Sequence, residues 1–220
     1  MDKSVKLYIF FCSLFCTIII TGNLIFQKFI TVNILFIEFE LSVGVLLYPA
    51  TFLISDLVTE FYGKDRAGYM IKMSVICSFI VMGLVMIGDF FPATSWSKID
   101  DESFHRMFGV YGIATISSIV ATFFAQMIDV QIFSYLKKLT KSRHLWIRNN
   151  VSTIIGQILD TILVLSILCA AHILSWEHYF QMASSSIAFK LIAALADTPF
   201  CYLGHSFITK FLGKDAEKTW

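Results

Sequence analysis

The chain has 220 residues, of which 57% are apolar, 15% aromatic and 15% charged, with 22 phenylalanines and a formal net charge of +1. Soluble domains carry about 25% charged residues, and a mean hydropathy of +0.74 has the wrong sign for disorder. An ordinary soluble domain is thereby excluded, and the near-neutral balance argues against nucleic-acid binding. The expected solvent is a bilayer.

A membrane-crossing helix needs about 20 mostly apolar residues. Six such segments are predicted, at residues 5–26, 39–59, 67–88, 110–136, 150–174 and 187–208, the last with a start as early as Met182. The remaining tails and loops leave no room for a separate soluble domain, so residues 1–220 form one all-α, polytopic membrane domain. The first run follows Lys3 and Lys6 but lacks a small-x-small cleavage pair, reading Thr21-Gly22-Asn23, so it is expected to stay as a span. In the second, Pro49 is expected to interrupt the helix ahead of Asp56 and Glu60. The fourth carries Asp129, the fifth Asp160, and the sixth Lys190, Asp197 and an interrupting Pro199. Broken helices survive in a membrane where protein or a water-filled cavity satisfies the freed backbone, which is why they point to substrate sites.

Cytoplasmic loops are enriched in lysine and arginine. With both termini inside, Lys3, Lys6, Lys64, Arg66, Lys72, Lys137, Lys138, Lys141, Arg143, Arg148, Lys210, Lys214 and Lys218 are cytoplasmic, against Lys28, Lys98, Arg106 and Lys190 elsewhere. The cluster from Lys137 to Arg148 is expected to anchor topology beside anionic lipid. The five cysteines, Cys12, Cys16, Cys77, Cys169 and Cys201, all lie in apolar spans. An odd, buried set gives no disulfide framework, and no metal site or cofactor is expected.

An acidic side chain at mid-bilayer costs about 2.5 to 3.5 kcal/mol on the lenient insertion scale. Asp56, Asp129, Asp160 and Asp197, with Glu60 at a span's end, therefore imply a sheltered interior. At 100° per residue, Thr115, Ser118, Thr122, Gln126 and Asp129 fall within an arc of about 80°, as do Asn150, Thr153, Gln157 and Asp160. Lys190, Asp197, Thr198, Cys201 and His205 make a third stripe, and Tyr48, Ser55, Asp56 and Thr59 a fourth. Four such stripes can line one cavity. Gln126-Met127-Ile128-Asp129 and Gln157-Ile158-Leu159-Asp160 share a pattern on consecutive spans, and depth along the helices suggests that Asp129 and Asp160 face one another. Lys190 lies about 10 Å from Asp197 on one helix face, a candidate for neutralising a carboxylate.

A carboxylate can accept two N–H bonds from a guanine-like edge, an amide can donate to its carbonyl, and aromatic rings can stack on a flat base. Equally, these carboxylates could take up a proton or hold an ammonium group.

Four stretches go further: Pro49 to Leu57 with Glu60-Phe61-Tyr62-Gly63; Gln126 to Asp129 with Ile132-Phe133; Arg148-Asn149-Asn150-Val151-Ser152-Thr153 with Gln157 and Asp160-Thr161; and Phe189-Lys190 with Asp197-Thr198-Pro199. Together, in this order, they resemble the six-helix queuosine precursor transporters. The resemblance implies import of a 7-deazaguanine, as a cyano or aminomethyl precursor or as queuine, across a bacterial inner membrane for tRNA modification. On position, Asp129, Asp160 and Gln157 are then the expected readers of the base, with Gln126, Asn150, Asp56 and Asp197 nearby and Glu60 and Lys190 as coupling or charge partners.

No Gly-x-x-x-x-Gly-Lys-Ser/Thr loop occurs, so transport draws on gradients or on partners. The architecture also resembles the substrate-binding subunits of energy-coupling-factor systems, which need separate ATPases; a stand-alone carrier, with protons as a candidate partner and a homodimer left open, is the leading reading. Catalytic residues are not expected. His-Glu-x-x-His, Gly-x-Ser-x-Gly and Gly-x-Gly-Asp motifs are all missing.

Overall fold

The computed structural model describes residues 2–26, 28–34, 37–108 and 111–213. Helix α1 (Lys3–Ile25) leads into a hairpin of β1 (Phe29–Ile34) and β2 (Ile37–Ser42), then a 3-10 turn over Val43–Leu47 and α2 (Tyr48–Tyr62). There follow α3 (Lys64–Phe90), a short α4 (Asp101–Phe108), α5 (Tyr111–Leu139), α6 (Leu145–Ala170), a 3-10 turn at Trp176–His178 and α7 (Tyr179–Leu212). Among the described residues, six segments are long and apolar enough to cross a membrane: α1, α2 with its preceding turn, α3, α5, α6 and α7. Helix is what an apolar run must form in lipid, because only there does each backbone N–H find its partner within the segment. An even number of crossings brings the chain back to the face on which it began.

That terminal face is fixed by side chains reaching between helices. The Tyr62 hydroxyl donates to the Ser4 carbonyl at 2.9 Å and the Tyr8 hydroxyl to the Arg66 carbonyl at 3.0 Å. Between these ends, Phe11, Phe15 and Ile19 of α1 pack with Val58 and Phe61 of α2, Met70 and Ile71 of α3 and Phe133 of α5 as one apolar core. Two glycines permit close approach. A Cβ at Gly156 would stand 2.8 Å from the Phe52 ring and 3.2 Å from both the Ala125 carbonyl and the Asp129 Cβ. One at Gly44 would stand 2.6 Å from the Gly22 carbonyl, where the 3-10 turn meets α1.

The six expected spans are present, with shifted ends. Residues 39–42, expected to be helical, belong to β2, which pairs antiparallel with β1 from Phe29 opposite Ser42 to Ile34 opposite Ile37. Helix α2 begins only at Tyr48, so Pro49 lies in its first turn and starts the helix instead of interrupting it. Its missing N–H is one that would have no intrahelical partner there. Pro199 lies inside α7, which continues through it as one helix from Tyr179 to Leu212, so neither proline breaks its span as expected. Helix α7 starts at Tyr179, eight residues before the expected 187, and α4 was not foreseen. There the Ser103 backbone N–H donates to Asp100 at 2.7 Å, and bonds from the Ser103 hydroxyl and this N–H hold the Asp100 carboxyl below the usual range. Val110, Lys214 and Lys218 lie outside the described residues.

Candidate functional site

A cavity of about 670 Å³ opens between the end of α1, the hairpin and the start of α7, on the face opposite the terminal one. Its upper wall carries Asn23, Ser118, Gln181 and Ser185; its deep end carries Tyr48, Asp160, Thr161 and Lys190. The Lys190 ammonium donates to Asp160 Oδ2 at 2.7 Å and to the Thr161 hydroxyl at 3.0 Å, and stands 4.9 Å from the centroid of the Tyr48 ring. Both charged residues are buried, at 2% exposure for Asp160 and 5% for Lys190. Each makes the other tolerable, since an unpaired buried charge is strongly destabilising.

The second oxygen of Asp160 is differently placed. Tyr48 and Thr122 bridge hydroxyl to hydroxyl at 2.5 Å, and both reach Asp160 Oδ1 only at 3.5 Å. Oδ1 therefore keeps acceptor capacity for a donor arriving in the cavity. Above it, the Ser118 hydroxyl donates to Asn23 Oδ1 at 2.8 Å, joining α5 to the end of α1.

Below the cavity the stripes continue as a packed polar layer. Asp129 lies level with Gly156, one helical turn from Asp160, so the two carboxylates do not face one another. Asp129 neighbours Asp56 of α2 instead: on α6, Gly156 packs against the Asp129 Cβ, and Thr153, one turn away, reaches Asp56. Thr153 donates to Asp56 Oδ2 at 3.3 Å. Gln126 Nε2 donates to the Thr51 hydroxyl at 3.1 Å, while Gln126 Oε1 and both amide atoms of Gln157 have no partner among the described residues.

A third layer closes the terminal end. Arg148, 2% exposed, donates to Glu60 Oε1 at 2.7 Å, with Lys137 at 3.4 Å from Glu60 Oε2 and His205 at 4.0 Å from Oε1. One carboxylate thus ties α2, α5, α6 and α7. Arg148, expected among topology anchors, is a buried partner because α6 begins at Leu145 and carries it inside the bundle. Asn150 and Thr198 exchange bonds at 2.9 and 3.1 Å, and Asp197, next to Thr198 in sequence, is half-buried.

Of the residues expected to bind substrate or balance charge, Asp160 and Lys190 line the cavity, joined by Tyr48 and Ser118 from the polar stripes. Asp129, Gln157, Gln126, Asn150, Asp56, Asp197 and Glu60 lie deeper or toward the terminal face. Lys190 pairs with Asp160 on α6 and not with Asp197 on its own helix. Gln181 and Ser185 were missed because the sixth span was started too late. Asn23 was missed because a lone polar residue at the end of an apolar run looks like a helix end.

From Ser42 in β2 to Gly204 in α7, residues 42–204 match the family described as "Putative vitamin uptake transporter". The chain belongs to this family. The matched segment holds every charged residue of the cavity and most of the two deeper layers, and omits α1. Among curated proteins, the chain is similar to the "Queuosine precursor transporter" of Escherichia coli, at 25% identity over 189 residues, covering 85% of this chain and 81% of that protein. It is also similar to the "Probable queuosine precursor transporter" of Bacillus subtilis, at 26% over 176 residues, covering 76% and 72%, and to its namesake in Haemophilus influenzae, at 26% over 160 residues, covering 72% and 65%. No solved structure matches. With six spanning helices and membership of a transporter family, the chain is a multi-pass membrane protein.

Proposed function

We propose that this protein imports a 7-deazaguanine precursor of queuosine across a bacterial inner membrane, taking it up in the cavity that ends at Asp160 and Lys190. The observation that carries this reading is the buried Asp160–Lys190 pair at the end of an open cavity, inside the family-matched segment. A cavity of about 670 Å³ falls in the ordinary range for small-molecule sites, about 300 to 1,000 Å³. A guanine-type edge offers adjacent N–H donors to Asp160 Oδ1, and Lys190 and Gln181 can donate to its carbonyl. The names of the relatives supply the substrate class.

The excess of basic residues on the terminal face supports cytoplasmic termini. The cavity then faces outward, and the Glu60–Arg148 layer closes the inner end. One open end and one latched end is the arrangement expected of a carrier that works by alternating access. We read the protein as a carrier and not an enzyme: its buried carboxylates are paired with a lysine, an arginine or each other.

The test is genetic. Expressed in bacteria that can neither make nor import the precursor, the chain is expected to restore queuosine to tRNA when 7-cyano- or 7-aminomethyl-7-deazaguanine or queuine is added. Protein present in the membrane with no restoration by any of the three would overturn the reading.

A further inference from the structure

Asp56 and Asp129 pose a separate problem. They are 1% and 0% exposed, in the middle of a bundle that spans the membrane. Neither has a cationic partner among the described residues: Lys190 is held by Asp160, and Arg148 by Glu60. Both Asp129 oxygens and Asp56 Oδ1 are without a hydrogen-bond partner among the described residues. Ser55 and Ser152 lie close, with their hydroxyls within hydrogen-bond distance of the backbone carbonyls of Phe52 at 2.8 Å and Asn149 at 3.3 Å, and neither supplies a positive charge. Two adjacent carboxylates in such a place cannot both be ionised.

A proton on one oxygen solves this, since the protonated acid donates to its neighbour across α2 and α5. The layer is packed by Phe52 and the Gly156 backbone, so nothing as large as a base fits there. Independently of the acids, the amide of Gln157 is 1% exposed with both polar atoms unpartnered, one turn above Thr153 and one below Asp160 on the same face of α6. Gln126, equally buried, has a free Oε1 between Thr122 and Asp129 on α5. These two amides form a polar step from the cavity's deep end down to the acid pair. The other titratable groups around the pair are Glu60 on α2, Lys137 on α5, Arg148 on α6, and Asp197, Cys201 and His205 on α7. Glu60, Lys137 and Arg148 are engaged with one another.

We infer that Asp56 and Asp129 form a proton-binding site, distinct from the substrate cavity, through which import is coupled to the proton gradient. This rests on the carrier reading above. A proton from the outer solvent adds to a carboxylate oxygen of the pair and leaves to the inner solvent after the bundle reopens; no bond of the substrate is made or broken.

Full-length protein reconstituted in liposomes with a trapped pH dye tests this, using radiolabelled 7-cyano-7-deazaguanine. For the native chain, an acid-outside gradient is expected to drive accumulation at least fivefold above equilibrium, with substrate-dependent proton entry. Asp129→Asn and Asp56→Asn are expected to equilibrate the label without accumulating it and without proton flux. Accumulation in the native chain that ignores the gradient, or proton flux surviving in both variants, overturns the inference. A second measurement needs no substrate. Infrared spectra of the native protein near neutral pH should show the carbonyl stretch of a protonated buried carboxyl, and Asp129→Asn should lose or shift it; no such band overturns the site even if the protein transports another solute. Native protein that shows the band but moves no 7-deazaguanine would instead sink the substrate reading alone.

Discussion

Replacing Lys190 by methionine keeps most of the side chain's bulk and removes its charge. At 2.7 Å from Asp160, the direct attraction is about 6 kcal/mol for an effective dielectric constant near 20. Desolvation offsets part of this, and breaking a buried pair on one side costs about 3 to 5 kcal/mol; water in the adjoining cavity favours the lower figure. For a chain of this size about 3 kcal/mol corresponds to roughly 6 to 12 °C in the unfolding midpoint. Lys190→Met should therefore unfold well below the native protein in detergent. Asp160→Asn alone should also lose stability, since it strands the ammonium between Thr161 and the Tyr48 ring. The double variant should recover most of the loss, because neither charge is then uncompensated, yet it should still fail to bind a 7-deazaguanine. If the two single variants and the double variant all melt with the native chain, the pair is not buried as described and the cavity's deep end has been misread.

Three further outcomes are expected. Tyr48→Phe keeps the ring beside Lys190 but removes the hydroxyl that bridges Thr122 and approaches Asp160; binding measured by scintillation proximity should weaken about fivefold to tenfold, the worth of one hydrogen bond, and unchanged affinity would show that Oδ1 is not positioned by it. Gly156→Ala brings a methyl group to 2.8 Å from the Phe52 ring and 3.2 Å from a backbone carbonyl, so the midpoint should fall by a loss of about 1 to 3 kcal/mol; a native midpoint would mean that α5 and α6 are less closely packed. Glu60→Gln leaves Arg148 buried without its counter-charge, and a cysteine placed at Ser152 in that background should react with a cytoplasmic thiol reagent faster than the same cysteine in the native background. Equal rates would argue against a latch.

The bundle was legible because each crossing is written as a long apolar run, and because an acid in such a run stands out. The hairpin was less so. Phe39, Leu41 and the valines and leucines after them merge into the run that continues into α2, although Ile30, Val32 and Ile34 alternate with polar residues at the period of a strand. Asp160, Lys190 and Tyr48 could each be named from their stripes, but the partners could not. Helical phase gives direction around an axis and says nothing of which neighbouring helix stands there, or of how far one has slid along another. Lys190 faces Asp160 because α7 packs beside α6, and Asp129 sits a turn below Asp160 because the α6 residue packed against it is Gly156.

The 3-10 turn ahead of α2 has a mechanical consequence. Five residues wound as 3-10 helix span about 10 Å, and the same five wound as α-helix span about 7.5 Å. Helix α2 itself, at 15 residues, measures only about 22 Å and relies on this extension to reach across a hydrocarbon core of about 30 Å. Rewinding the turn would draw Ser42 and the hairpin about 2.5 Å down toward Tyr48. A spring of about one and two-thirds turns thus connects the mouth of the cavity to its deepest residues.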